Sequence, residues 1–290
     1  MTGAELSQII VNALMLSGIL ALVALGFSLV WGIMNIVNLA HGPFIVLGAY
    51  ITFWMLELWG IDPFLSLPVS MIVLFGLGFV IQRVLINNVI RAPLLATFLL
   101  TFGLEILLVN LMTYFFKADL RAVTTAYSGS GFELGPARVP YIRLAGLGIS
   151  LALVYALWWF LTYTRSGNAI RATGMDIEAA QLTGVKVATI YALTFAIGAA
   201  MAGAAGSLLS MAIPFDPNLG GGYTQRAFVI CVLGGLGNVL NVVIGAAIYA
   251  FVDVFVGARV PQLSQAITFA MLVLLLVLRP HGIAGKAFYA

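Results

Sequence analysis

The sequence predicts an all-α fold, a polytopic transmembrane helical bundle with a broken or re-entrant helix pair near the C-terminus. Three observations predict it. The 290 residues are 62% hydrophobic and only 8% charged, whereas about a quarter of a soluble domain is charged. Apolar runs near the length of a membrane crossing recur along the whole chain, too many for a single anchor. Near the C-terminus, glycines cut the apolar sequence into pieces too short to cross singly. Neither a soluble domain nor a long linker stands out, so residues 1–290 are expected to form a single transmembrane domain.

The same composition excludes several functions. A formal net charge of +3 without any Lys/Arg cluster offers no face to nucleic acid. The single cysteine, Cys231, rules out an internal disulfide. The opening MTGAELSQ lacks the basic start of a cleaved leader. His41 and His281 are the only histidines, and no His/Cys/acid group has metal-ligand spacing. There is no phosphate-binding glycine loop of the ATPase type. Gly206-Ser207 is not a nucleophile elbow, and no histidine partners it. No cofactor, metal or enzymatic activity is therefore expected.

Taken in order, the first apolar segment runs from about Ile9 to Trp31. A polar-specked stretch, GIMNIVNLAHG, precedes the second, about Pro43 to Leu58. Trp54, Trp59 and the Ile61-Asp62-Pro63 turn suit a membrane interface. The third runs from about Leu65 to Ile86, and a short turn from Asn87 to Pro93 follows. The fourth, about Leu94 to Phe116, carries Glu105. A Gly/Ser/Thr-rich excursion then spans roughly Lys117 to Arg143. The fifth is about Leu144 to Tyr163 and the sixth about Thr189 to Ala212. In the sixth, Gly198, Ala202 and Gly206 form a small-residue ridge for close helix packing in lipid. Gly220, Gly221 and Gly222 are expected to form a flexible loop. The last apolar pieces are Ala227–Leu233, Val239–Val252 and Leu263–Leu278. The first two make either one broken helix or a pair of half-helices that enters and returns.

Two sets of residues carry candidate function. The first lies in the polar break RSGNAIRATGMDIEAAQLTGVKV, residues 165–187. It holds one short helix candidate, started by Thr173 or Asp176 and stopped by Gly184. Ile177, Ala180 and Gly184 share a small, mildly apolar face that another protein can approach closely, flanked by Arg165, Arg171 and Lys186. An ordinary interhelical loop explains the same residues without function. The second set is polar and lies in apolar surroundings. Asn35, Asn38 and His41 recur at three-residue steps, one side of a helix, and must face protein or a cavity. Gly32 to Asn38 and Gly235 to Asn241 both read G-x-x-N-x-x-N, so Asn238 and Asn241 join the early asparagines as candidates for a solute path. Helix-locking amides are the structural alternative. Glu105, an acid in mid-segment, is either a pathway residue or a carboxylic acid bonded to a neighbouring helix.

The 165–187 stretch, followed by AMAGAAGSLL, resembles the cytoplasmic coupling loop of permease subunits of branched-chain amino acid (Liv-type) ABC importers. NIVNLAHGPFIVLGAY and GGLGNVLNVVIGA are also similar to that family, in the same order. The resemblance is weakest from about Tyr127 to Arg143. It implies a multi-pass permease of the bacterial inner membrane, moving branched-chain or related amino acids by alternating access. The alternatives are a permease for another solute, such as urea, an amide or a sugar, or an ion-coupled carrier working alone. The implied partners are a second homologous permease, two ATP-binding subunits, an extracytoplasmic solute-binding protein, the small-molecule solute and membrane lipid. Arg171, Asp176, Glu178, Ala180 and Gly184 would form the ATPase-coupling loop. Charge alone orients the chain weakly: with that loop inside, seven basic residues collect inside (Arg83, Arg91, Arg165, Arg171, Lys186, Arg279, Lys286) against six outside. The N-terminus is then outside, and an inside C-terminus needs the 227–252 region to enter and leave on one side.

Overall fold

The structure is a computed structural model and describes residues 2–90, 92–235 and 238–278. Among these, α1 spans Gly3–Met34, started by a capping box in which Thr2 and Glu5 satisfy each other's backbone N–H. It is followed by α2 (His41–Trp59), α3 (Pro63–Ile81), a π-helical turn (Gln82–Ile86) and α4 (Asn87–Val89). Next come α5 (Leu94–Phe116), the antiparallel strands β1 (Gly131–Leu134) and β2 (Ala137–Pro140), and α6 (Tyr141–Tyr163). Then α7 (Arg165–Met175), α8 (Ile177–Leu182), α9 (Val187–Ala212), α10 (Leu219–Gly234), α11 (Val239–Gly257) and α12 (Ser264–Leu278) complete the described chain. Seven helices among the described residues are long and apolar enough to cross a membrane: α1, α2, α3 through α4, α5, α6, α9 and α11.

The core forms around α1 and α9, which run antiparallel. A Cβ on Gly26 would meet the Gly198 carbonyl at 2.6 Å, so the two backbones touch. The small-residue ridge of α9 does what its spacing predicts. Gly198 accepts Val30 of α1, Gly206 lies against the Ile45 carbonyl of α2, and Ala202 between them is fully buried; Gly203, outside the ridge, accepts Leu74 of α3. Hydroxyls join the same helices, with Ser70 to Ser207 at 2.7 Å and Ser66 to Thr52 at 2.9 Å. In lipid such contacts replace the hydrophobic drive that acts between helices in water.

At one end of the bundle lie Thr2, the β1–β2 hairpin and the loops around Asp62, Arg121 and Phe215. Gln8 bonds the Arg138 backbone in both directions, at 2.8 and 3.1 Å. Tyr127 donates to Asp62 at 2.6 Å, and Arg121 and Phe215 exchange two backbone bonds of 2.8 Å. At the other end lie the C-terminus of α1, α4, the start of α5, α8 and the start of α9. Gly234 packs on Asn241, Ile230 on Gly245 and Arg226 on Tyr249, so α10 and α11 run antiparallel. Both helices open on the hairpin end, as a pair that enters and returns would, but α11 is not a half-helix: its 19 residues are long and apolar enough to cross alone, against the expectation that this piece is too short.

Three further expectations are corrected. Gly220, Gly221 and Gly222 are not a loop: they form the first turn of α10. Gly220 has no room for a Cβ, which would sit 2.6 Å from the Gly42 carbonyl carbon. Packing overrides the weak helix propensity of glycine here. The turn expected from Asn87 to Pro93 starts later, because helix continues through Val89. The excursion from Lys117 to Arg143 contains the hairpin, whose four-residue strands leave little periodicity to read.

Candidate functional site

At the end opposite the hairpin, the polar break folds into two helices, not one. Thr164 caps α7, accepting from Gly167 N–H at 3.0 Å. Thr173 is not a cap: it is buried within α7, and its hydroxyl donates back to the Ala169 carbonyl at 2.8 Å. Asp176 caps α8, accepting from Ala179 N–H at 3.0 Å. Glu178 then sits in the first turn of α8, where the helix dipole favours an acid. Gly184 ends the helix at φ +86°, with Gly184 N–H on the Gln181 carbonyl at 2.9 Å and Val185 N–H on the Ala180 carbonyl at 3.1 Å. That is the double bond pattern of a glycine helix stop. Arg171 donates to Asn168 Oδ1 at 2.6 Å.

The face expected to meet another protein is turned differently. Ala180 is 3% exposed. The flank of α8 carrying Ile177 and Gln181, with Val185 just beyond the helix, borders a cavity of about 860 Å³. The side chains that face outward are Met175 and Leu182, 88% and 90% exposed. The sequence held a signal for them, two isolated apolar residues seven apart in a polar run, but not their direction.

The cavity beneath α8 also touches Met34, Asn35, Ile36 and Thr97, which leads to the second set of residues. Asn35 ends α1 in the left-handed region at φ 54°, and residues 35–40 are not helical. The expected one-sided helical stripe of Asn35, Asn38 and His41 therefore does not form. The broken segment does. Its backbone groups are taken by protein: Thr101 donates to the Val37 carbonyl at 2.9 Å, and His41 N–H to the Asn38 carbonyl at 3.3 Å. This is the condition for irregular backbone at membrane depth. His41 is fully buried, with Nε2 2.8 Å from the Val23 carbonyl. Asn38 is 2% exposed and its Oδ1 has no hydrogen-bond partner. Directly after the break, Gly42 N–H donates to Thr224 Oγ1 at 2.8 Å, so the N-termini of α2 and α10 meet. Glu105 lies beside this junction, its Oε1 3.5 Å from where a Cβ on Gly221 would sit.

The late asparagines lie elsewhere. Asn238 caps α11, accepting from Leu240 N–H at 2.9 Å, and faces a cavity of about 200 Å³ shared with Ser28, Gly32, Leu161 and Arg171. The Asn241 backbone packs on Gly234. The structure thus joins Asn35, Asn38, His41 and Glu105 around one break, and sets Asn238 and Asn241 beside α7. Leu236 and Gly237 of the late motif, with Arg91, Arg279, His281 and Lys286, lie outside the described residues.

Comparison with known proteins adds the family context. Residues 9–276 match the family model for the branched-chain amino acid transport system permease component. The chain is 30% identical to the high-affinity branched-chain amino acid transport system permease protein BraD of Pseudomonas aeruginosa, over 96% of this chain and 95% of that protein. It is 29% identical to the corresponding permease LivH of Escherichia coli, over 95% and 94%. A partial likeness, 32% over 37% of this chain, is to the autoinducer 2 import system permease LsrC of Photorhabdus laumondii. No solved structure matches significantly.

Proposed function

Because the chain belongs to the branched-chain amino acid transport system permease family, we propose that its solute is a branched-chain or closely related amino acid. The chain is a multi-pass permease subunit of an ABC importer in the bacterial inner membrane. We propose further that residues 1–290 act as one permease domain, paired with a second homologous permease, two ATPase subunits and an extracytoplasmic solute-binding protein. One observation carries the mechanism: α8 lies over the 860 Å³ cavity that reaches the break at Asn35.

In this reading α7 and α8 receive the ATPases. Asp176 and Gly184 fix the two ends of α8, Glu178 and the outward Met175 and Leu182 meet the partner, and Ala180 seats the helix on its own bundle. Arg171 braces α7 beside Asn238. A push on α8 closes the space beneath it. A push on α7 reaches α1 directly, because a Cβ on Gly174 would meet Ile33 at 2.6 Å. Ile33 lies two residues before the Asn35 break. The ATPases shift the balance between the two states only by what they contact differently in each, and those contacts drive the exchange. Asn35, Asn38, His41 and Glu105 border the path of the solute. Asn238 and Asn241 hold the α10–α11 turn that moves with α7.

The test is reconstitution with the cognate ATPases and binding protein in vesicles. Leucine, isoleucine or valine should stimulate ATP hydrolysis and accumulate, while urea and ribose should not. Stimulation by urea or a sugar alone would overturn the solute, and uptake without any ATPase would overturn the importer. Cysteine scanning in a Cys231→Ser background checks the sidedness. Positions 127–135 should label in intact cells, and 174–178 only after permeabilisation. Labelling of 174–178 in intact cells would reverse the orientation.

A further inference from the structure

A third cavity, of about 460 Å³, opens at the hairpin end between α1, α6, α9, α10 and α11. Neither the coupling loop nor the broken segment uses it. Its polar lining is cationic or donor-rich. Arg143 projects from the first turn of α6, Arg226 from α10 and Asn12 from α1. None of the described side chains lining it is acidic. Arg226 is held in place: its guanidinium lies over the Tyr223 ring, 4.9 Å from the centroid, and bonds Tyr249, and the Asp253 charge acts on it. The acceptor end of Asn12 is taken by Gln8 Nε2 at 3.1 Å. The remaining walls are aliphatic, with Leu16, Ile19, Leu209 and Val254 among them.

Charge and depth select the ligand. A zwitterionic amino acid would bring its ammonium group into a cavity whose lining offers two guanidinium groups and no carboxylate, Asp253 offsetting only part of the Arg226 charge from outside the lining. An anion with an apolar tail meets no such conflict. Asn12 lies three residues inside the apolar run that starts at Ile9. From Asn12 to Ile19 the helix descends by about 10 Å, at 1.5 Å per residue. The cavity therefore runs from the membrane interface into the hydrocarbon, the depth of a lipid phosphate and its first methylenes. Basic pockets between membrane helices recognise anionic headgroups by this chemistry. We propose that the cavity binds an anionic phospholipid, its phosphate between Arg143 and Arg226 and its glycerol and first methylenes along Leu16, Ile19 and Val254. That the leaflet is the outer one rests on the permease reading; the site itself does not.

The test is thermal denaturation of the purified, delipidated full chain in detergent. Phosphatidylglycerol and phosphatidylcholine are added in separate arms, and glycerol phosphate and leucine in two more. A ligand that binds only the folded state raises the midpoint in proportion to its occupancy. Phosphatidylglycerol should raise the melting temperature by a few degrees more than phosphatidylcholine. The Arg143→Gln variant should lose that increment. Arg259→Gln, at an exposed arginine of the same end outside the cavity, should keep it. Arg226→Gln should behave as Arg143→Gln; should it fail to fold, the half-exposed Arg143 still decides. Equal effects of the two lipids, an increment unchanged in Arg143→Gln, or the full shift from glycerol phosphate or leucine alone would overturn the proposal. Uptake is not part of the readout, so a chain that carried a different solute would give the same result.

Discussion

Replacing each of the three glycines at the start of α10 by alanine should give three different outcomes. In Gly220→Ala the new methyl would sit 2.6 Å from the Gly42 carbonyl carbon and 2.8 Å from both the Gly42 carbonyl oxygen and Pro43 N. Carbon contacts settle near 3.5–4.0 Å, so α2 and α10 must part by about 1 Å. That separation strains the Gly42 N–H to Thr224 bond of 2.8 Å. Overpacking against backbone costs about 1–3 kcal/mol. Alanine returns about 0.5–1 kcal/mol of helix propensity. The net is a loss of roughly 1–2 kcal/mol, which lowers the melting temperature by about 2–4 °C per kcal/mol in a chain of this size class. In Gly222→Ala the methyl meets nothing within 4 Å, so only the propensity gain of about 0.5–1 kcal/mol remains. In Gly221→Ala the methyl makes an ordinary 3.5 Å contact with Glu105 Oε1; stability should rise about as in Gly222→Ala, but uptake should fall if Glu105 borders the solute path. Thermal denaturation in detergent and uptake in vesicles separate the three. A Gly220→Ala protein as stable as wild type, or a Gly222→Ala protein as damaged as Gly220→Ala, would refute the close junction of the two helix N-termini.

Three further outcomes are expected. Leu182→Glu should leave the fold intact and weaken ATPase co-purification and coupled uptake by at least about tenfold, the effect of some 1.4 kcal/mol; Ala180→Trp should instead destabilise the coupling end itself, because Ala180 is buried, and normal uptake in both variants would remove the coupling assignment. Asn38→Leu removes a buried acceptor that has no partner, so its stability should be unchanged or raised by about 1 kcal/mol while uptake falls; wild-type uptake would confine Asn38 to packing. Burial first, and then its hydrogen bond to Asp62, push the Tyr127 hydroxyl up from 10.0 to about 12. The neutral phenol is therefore favoured in the folded state. Its contribution is complete below pH 10 and is lost as the pH climbs through about 12, so proteolysis of the 117–140 region should accelerate across that window. Tyr127→Phe should be flat over the same range, and equal pH dependence in both proteins would refute the assignment.

What was legible in the sequence was chiefly local. The limits of α5 follow from Pro93 before Leu94 and the polar residue Lys117 after Phe116. The cap at Asp176 and the stop at Gly184 are chemistry within a few residues, which sequence states directly. What was not legible depended on a distant partner. Nothing near Ala180 tells that it seats against its own bundle, or that Leu182 faces away. Nothing near Gly220 tells that Gly42 will press on it, so glycine's propensity read as a loop where packing imposes a helix. The hairpin of β1 and β2 escaped because each strand has four residues. Its anchor, the Gln8 side chain, lies 130 positions away from Arg138.

The repeated G-x-x-N-x-x-N motif shows why a shared pattern does not imply a shared place. In the early copy Asn35 follows the last turn of α1 at φ 54°, and its own N–H bonds the Trp31 carbonyl at 2.9 Å. Asparagine tolerates that left-handed conformation better than most residues. In the late copy Asn238 precedes the first turn of α11, in extended backbone, and its side chain accepts from Leu240 N–H. One residue type closes a helix in the first case, through its left-handed backbone, and opens one in the second, through its side-chain oxygen. The break that follows Asn35 leads to Glu105 and the start of α10; the turn at Asn238 leads to Arg171 and α7. Asn38→Leu and Asn241→Leu should therefore part company. If Asn38 borders the proposed solute path, the first should lower solute-stimulated ATP hydrolysis and uptake together. If α7 couples to the ATPases as proposed, the second should leave solute affinity unchanged and lower the uptake achieved per ATP, because only the turn beside α7 is altered. Identical kinetics in the two variants would return both asparagines to a single site.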